Sequence, residues 1–271
     1  MTDRYAVIGN PIAQSRSPVI HAAFARQFGH TLTYERILGE PGAFAETVRA
    51  FMEAGGKGMN VTAPFKLDAC RFADRLTDRA EAAQAVNTLA FGPDGVLGDN
   101  TDGIGLVGDI QDRLGYSLAG RQVLIIGAGG ATRGVLLPIL QAGPARILLV
   151  NRTASRAHEL AAVFQQTGIL RAGALEDVAG ERFDVVIHAT SAGLNGQGAP
   201  DVDFRFSAES LAYDLAYAAE PTAFMVQAAG RGATRLSDGL GMLVGQAAES
   251  YQIWRGVMPD VQPVWDLLRQ S

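Results

Sequence analysis

Short apolar runs alternate with amphipathic stretches along the whole chain, the pattern of parallel strands joined by helical crossovers. The spacing predicts a first part with strands at Tyr5–Ile8, Tyr34–Leu38 and Gly58–Val61 and helices over Pro18–Phe28, Gly42–Ala54, Pro64–Ala73 and Asp78–Ala85. Thr88–Phe91 and Val96–Asp99 flank Gly-Pro-Asp-Gly at 92–95, a turn that joins antiparallel strands, so this sheet is expected to be mixed but mainly parallel. A second wound unit follows. It comprises a helix over Ile104–Leu114, strands Gln122–Ile126, Arg146–Val150, Phe183–His188 and Leu211–Leu215, and helices over Ala131–Gln141 and Ser155–Gln166. A last helix covers Leu240–Arg255. The fold class expected is α/β in two domains, 1–102 and 103–238, with helices of 239–271 returning to the first.

Charge and cysteine usage narrow the function classes. The 23 basic residues against 28 acidic ones leave a net charge of -5, which offers no general field for holding a nucleic acid. A single cysteine, Cys70, excludes an internal disulfide, and no Cys/His cluster has metal-ligand spacing, so no metal and a cytoplasmic setting are expected. No apolar stretch approaches the length needed to span a bilayer, so no membrane partner is expected either. Of the basic residues, 21 are Arg and only two are Lys, Lys57 and Lys66. A lysine kept in such a chain stands out, because an ammonium exchanges its proton near neutral pH and a guanidinium does not.

The strand at Gln122–Ile126 runs into Gly127-Ala128-Gly129-Gly130-Ala131 and then a helix. Glycines there let the turn close and let backbone N–H groups at a helix N-terminus approach a pyrophosphate, although a tight strand-to-helix turn without a ligand has the same signature. Thr132 occupies the third small position of the usual fingerprint and is expected to loosen helix–strand packing. About twenty residues on, where the ribose of a dinucleotide is met, the chain reads Asn151-Arg152-Thr153-Ala154-Ser155-Arg156, with two guanidiniums and no carboxylate. Such a loop suits a 2′-phosphate and so NADP over NAD.

The first part carries polar groups at successive strand ends. Ser17 before Pro18 reads as a helix N-cap, and Ser15 beside it adds a second hydroxyl at a site fit for a small carboxylate. Asn60, Thr62 and Lys66 follow the third strand, with Asn87, Thr88 and the run Asp99-Asn100-Thr101-Asp102 at other turns. Singly each reads as a cap or turn residue, Asp102 as the cap of the helix at Ile104. Together they describe a pocket for a polyhydroxylated small acid around one ammonium and one carboxylate.

With these motifs in order, GNPIAQSRSPVIH (9–21), NVTAPFK (60–66), AVNT (85–88), DNTDGIG (99–105), GAGGA (127–131), NRTASR (151–156) and DGLGMLVGQAA (238–248), the chain resembles the shikimate dehydrogenases over nearly its full length. The resemblance implies a substrate-binding catalytic domain, a Rossmann-type NADP-binding domain, and NADPH-dependent reduction of 3-dehydroshikimate to shikimate in the aromatic (chorismate) pathway. It implies Lys66 as the proton carrier with Asp102 as its partner. Ser15 and Ser17 would hold the substrate carboxylate, Thr62, Asn87, Asp102 and Gln246 its ring hydroxyls, and Tyr217 would contact it. On the cofactor side it implies Gly127, Ala128, Gly129, Gly130 and Ala131, Asn151, Arg152, Thr153 and Arg156, with Leu215 and Gly239 near the nicotinamide. Asp78 stands where an acidic cofactor neighbour is common, and reads equally as a helix start. Gln14, Ala22 and His188 depart from the family's usual residues, His188 replacing an Asn. Two rivals stay open: a quinate/shikimate dehydrogenase of broader specificity, and a non-catalytic NADP-binding sensor. His30 and His158 read as surface positions, and the chain's size suits a monomer or a homodimer.

Overall fold

A computed structural model describes residues 2–164, 168–190 and 200–270. It divides into two compact units, Met1–Gly105 with Leu243–Ser271, and Leu106–Met242. The fold class is α/β.

In the first unit, strands β1 (Asp3–Gly9), β2 (Leu32–Leu38), β3 (Gly56–Val61), β4 (Arg75–Leu76), β5 (Thr88–Gly92) and β6 (Gly95–Asp99) form one sheet in the order β2-β1-β3-β5-β6-β4. The β1 pairs are parallel and β5 runs antiparallel to both β3 and β6, as the Gly-Pro-Asp-Gly turn requires. The helices are α1 (Ser17–Phe28), α2 (Phe44–Glu53), α3 (Lys66–Phe72) and α4 (Asp78–Ala83). Ile8, Val48, Phe51, Met59, Phe65 and Leu89 fill the core between sheet and helices. The two-residue β4 escapes the sequence pattern because it is too short to show a period.

The chain leaves this unit through α5 (Asp102–Gly108), which continues in the second unit as a π-helical turn over Asp109–Arg113, where an uninterrupted helix to Leu114 was expected. The widened turn accommodates the buried Asp109. Its carboxylate is held by Arg113 and by the Tyr213 hydroxyl at 2.7 Å, and a Cβ on Gly241 would stand 1.7 Å from its Oδ1.

In the second unit β7 (Gln122–Ile126), β8 (Arg146–Val150), β9 (Leu170–Gly173), β10 (Glu181–His188), β11 (Phe204–Asp214) and β12 (Arg235–Ser237) pair in parallel throughout, in the order β12-β11-β10-β7-β8-β9. The central strands read as continuous apolar runs because both faces are covered. Its helices include α6 (Gly130–Gln141), α7 (Ala154–Ala162) and α8 (Ala223–Gly230). The expected end of α7 near Gln166 lies outside the described residues. Thr132 does not loosen the packing: it is fully buried and its hydroxyl donates to Gly127 O at 2.6 Å, which satisfies the one polar atom the substitution brings.

Helix α9 (Leu240–Arg255) has the limits the sequence predicts, and α10 (Gln262–Arg269) follows it. Trp254 of α9 lies on the sheet at Gly58, where a Cβ would come within 2.3 Å of the indole nitrogen. The indole stacks on Tyr5 with ring centroids 4.6 Å apart and donates to Leu89 O at 3.0 Å. Among the described residues no helix is long and apolar enough to cross a membrane.

Candidate active site

Parallel strands deliver their following loops to one edge of a sheet, so the carboxyl ends of β1 and β3 bring two of the predicted loops together. Asn10 N–H donates to Ala63 O at 3.0 Å, and Thr62 is tucked against Gly9, where a Cβ would stand 2.4 Å from its methyl group. Ser17 is not the cap of α1. Arg16 holds that position without a side-chain bond, and Ser17 is the first helical residue, its N–H accepted by Ser15 Oγ at 3.3 Å. The two serine hydroxyls lie 3.2 Å apart, so Ser15 takes the capping work expected of Ser17.

Lys66 opens α3, and its ammonium contacts Asp102 Oδ2 at 2.5 Å, with the lysine side chain 21% exposed and the carboxylate 8%. Asp102 is therefore the first residue of α5 and an ion-pair partner, not its cap. Its other oxygen accepts Asn87 Nδ2 at 2.8 Å. The Asn87 amide has only one workable orientation, because its Oδ1 accepts the Thr101 backbone N–H at 2.9 Å, leaving Nδ2 for Asp102 and for Gln246 Oε1 at 3.3 Å. Lys66, Asp102, Asn87 and Gln246 thus form one hydrogen-bonded group.

A network that sequence reasoning missed supports it. Asn60, buried inside β3, accepts the Tyr34 hydroxyl at 2.7 Å and donates to Ser250 Oγ at 2.9 Å, and Ser250 lies 2.7 Å from the Thr88 hydroxyl. Thr88 donates to Asn87 Oδ1 at 2.9 Å. Tyr34 also meets the Ser17 hydroxyl, and burial pushes its phenol well above the ordinary range, so it stays a donor. Tyr34 and Ser250 sat in an amphipathic strand and helix with no local signal; only the fold brings them to Asn60. His21 stacks on Tyr34 with centroids 4.4 Å apart; burial pushes its pKa down to about 3 and keeps it neutral. Asp99, a candidate pocket carboxylate, is instead committed to Arg79, which grips both its oxygens at 2.6 and 2.7 Å. His30 is half-buried at the surface, with its Nδ1 2.6 Å from the Tyr251 hydroxyl; His158 is exposed. Asp78 is the first residue of α4, whose cap is Thr77.

In the second unit the glycine turn fits a dinucleotide's pyrophosphate. Gly127 has φ +115, a conformation that L side chains rarely adopt, and nothing lies within 4 Å of a Cβ built on Gly129 or Gly130. Helix α6 begins there without any side-chain cap, so its first N–H groups remain available to an anion. Asn151 ties this turn to the basic loop, accepting Ala128 N–H at 3.2 Å and donating to Thr153 O at 3.0 Å. Arg152 and Arg156 are exposed and neither has a carboxylate partner among the described residues. Gly239 lies against Leu215, whose carbonyl a Cβ would approach to 2.2 Å, so these two predicted residues are neighbours. Tyr217 is exposed on the same unit. No group of three or more potential metal ligands occurs among the described residues.

Three family profiles match: the shikimate dehydrogenase substrate binding domain over residues 7–89, shikimate / quinate 5-dehydrogenase over 109–197, and the shikimate 5′-dehydrogenase C-terminal domain over 239–269. The shikimate dehydrogenase (NADP(+)) of Nitrosospira multiformis is 53% identical over 271 residues, covering 100% of this chain and 98% of its own. The chain belongs to the shikimate dehydrogenase family. Solved structures agree with that membership. The Ael1 enzyme from Pseudomonas putida, 45% identical, superposes with a TM-score of 0.91 over 98% of each chain. The shikimate 5-dehydrogenase from Thermus thermophilus, solved with NADP(H) and shikimate, is 31% identical, with a TM-score of 0.87 over 99% of each chain.

Proposed function

We infer that the chain catalyses the NADPH-dependent, reversible reduction of 3-dehydroshikimate to shikimate, a step of aromatic (chorismate) biosynthesis. The observation that carries the mechanism is the Lys66–Asp102 pair. NADPH, when bound, supplies the hydride. Lys66 Nζ polarises the substrate ketone and gives its proton to the developing alkoxide oxygen; in the reverse direction it takes that proton back. Asp102 fixes the ammonium, and Asn87 fixes Asp102. Asn87, Thr62, Gln246 and Asp102 offer neutral and anionic partners to ring hydroxyls, and Ser15 and Ser17 offer hydroxyl donors to the carboxylate. Tyr217 contributes a further substrate contact.

The backbone of 127–131 and the helix behind it hold the pyrophosphate, Asn151 and Thr153 shape the neighbouring loop, and Arg152 and Arg156 take the 2′-phosphate. Leu215 and Gly239 flank the nicotinamide. The absence of a carboxylate partner at both arginines supports NADP over NAD, because a carboxylate in that loop would repel the phosphate. The reading carries with it a cytoplasmic setting, which a lone thiol fits, and no nucleic-acid or membrane partner. The protein acts as a monomer or a homodimer, which sedimentation distinguishes.

Formation of the reduced nicotinamide, NADPH or NADH, followed by absorbance with shikimate or quinate and with NADP or NAD, tests the reading. Turnover with shikimate and NADP alone is expected. Comparable rates with quinate would move the assignment to a broader shikimate/quinate dehydrogenase, and NADP binding without turnover on either acid would move it to a sensor.

A further inference from the structure

Residues 99–102 lead from the end of β6 into α5 and deliver Asp102 to Lys66, so whatever holds this run also sets the geometry of that pair. The middle of the run is held locally. The Asn100 amide donates to Ala85 O at 2.9 Å and accepts the Asp102 N–H at 3.2 Å, and the Thr101 N–H meets Asn87 Oδ1 at 2.9 Å. Its start is held from another helix. Asp99, with its side chain 5% exposed, takes Arg79 Nε at 2.6 Å on one oxygen and Nη2 at 2.7 Å on the other. The first of these oxygens also accepts the Thr77 hydroxyl and the Asn100 N–H, each at 2.6 Å.

A guanidinium fork that meets both oxygens fixes the plane of a carboxylate as well as its position, which a point charge at the same distance does not. The donor side is anchored in turn. Arg79 is the second residue of α4, and the hydroxyl of its cap Thr77 accepts the Ala80 N–H while donating to Asp99. The guanidinium also lies 3.8 Å from Glu249, three residues beyond Gln246 and so on the same side of α9.

Arg79 thus joins α4, the end of β6 and α9, all within the first unit. Its ion pairs go to Asp99 and Glu249, and not to the Lys66–Asp102 pair itself. A buried ion pair adds little net stability, because desolvating both charges offsets their attraction; what it supplies best is a fixed arrangement.

We propose that Arg79 is a positioning residue for the reaction: by gripping Asp99 it sets where the run into α5 begins, and so where Asp102 meets the Lys66 ammonium. The proposal rests on the Lys66–Asp102 mechanism inferred above.

Steady-state rates with shikimate and NADP test it, at a temperature where melting curves show every variant folded. Arg79→Gln removes the fork and is expected to lower kcat roughly 10-fold, the scale of breaking one member of a coupled group, with KM for NADP unchanged. Arg79→Gln combined with Asp99→Asn leaves no unpaired charge at Asp99, and is expected to recover the melting temperature without recovering kcat. That double variant carries the test if the single one folds poorly. A third comparison separates positioning from general support. In an Asp102→Asn background there is no carboxylate left to position, so Arg79→Gln is expected to cost no further kcat. Wild-type kcat in Arg79→Gln, recovery of kcat together with melting temperature in the double variant, or an equal loss in the Asp102→Asn background would each overturn the role. A wild-type protein that does not oxidise shikimate would instead overturn the mechanism and the positioning role with it.

Discussion

At the carboxyl edge of the first sheet, side chains hold one another: Asn60, Thr88, Ser250, Asn87 and Asp102 are buried and joined in a continuous series of hydrogen bonds that ends at Lys66. At the same edge of the second sheet the ligand-facing parts are backbone and open charge, a glycine turn with space beside it and two arginines without carboxylate partners among the described residues. The contrast follows from what each edge must recognise. A small polyhydroxylated acid offers few groups, each of which has to be met by a donor or acceptor set in advance. NADP offers a pyrophosphate, a 2′-phosphate and length, which amide dipoles and guanidiniums meet without much help from neighbours.

The largest expected effect breaks the first edge alone. Lys66→Ala should lower kcat roughly 10²- to 10⁴-fold with KM for shikimate little changed, the scale of losing a general acid. NADP affinity, measured by titration, should stay at the wild-type value. Lys66→Arg should not restore turnover, because guanidinium keeps its protons; recovery in that variant would remove proton transfer from Lys66.

A smaller effect breaks the second edge alone. Arg152→Ala with Arg156→Ala should raise KM for NADP roughly 10- to 100-fold, the range for losing hydrogen bonds to a charged group, and leave KM for NAD and for shikimate as they were. Equal losses with NAD and NADP would show that the loop does not read the 2′-phosphate.

The smallest effect sharpens the comparison by showing what burial costs the first unit. Burial pushes His21 down to about 3, below the roughly 6.5 of an unfolded chain. Above pH 6.5 both states hold it neutral and it contributes nothing to the pH dependence. As pH falls from there toward 3, the unfolded state takes up a proton that the folded state refuses, so stability drops by up to about 1.4 kcal/mol per pH unit. Denaturant titrations across that window should show a shallower loss in His21→Phe than in the wild type. Parallel slopes would mean that the ring titrates normally in the folded protein.

Much of this was legible from local pattern. Strand limits at Gln122–Ile126 and helix limits at Leu240–Arg255 follow from apolar runs bounded by glycine, and the glycine turn, the basic loop and the Lys66 and Asp102 positions stand out by residue type alone. What escaped was set by distant partners. Tyr34 and Ser250 are ordinary in their own segments and acquire a role only because both reach Asn60. The exchange of capping work between Ser15 and Ser17 turns on a backbone angle at Arg16 that no residue type announces. Helix α8 has no polar face, so no period marks it in the sequence. The beginning of β11 was missed because its register shifts opposite β10, so its alternation breaks before Leu211.

The indole lying on Gly58 has an optical consequence. The chain has two tryptophans, Trp254 and Trp265, and both belong to the first unit. Intrinsic emission during unfolding therefore watches that half of the molecule, whereas far-ultraviolet circular dichroism counts the helices and strands of both. Superimposable curves from the two probes would mean that the two halves, joined through α5 and α9, melt as one cooperative body, and separated curves would measure how independently each stands.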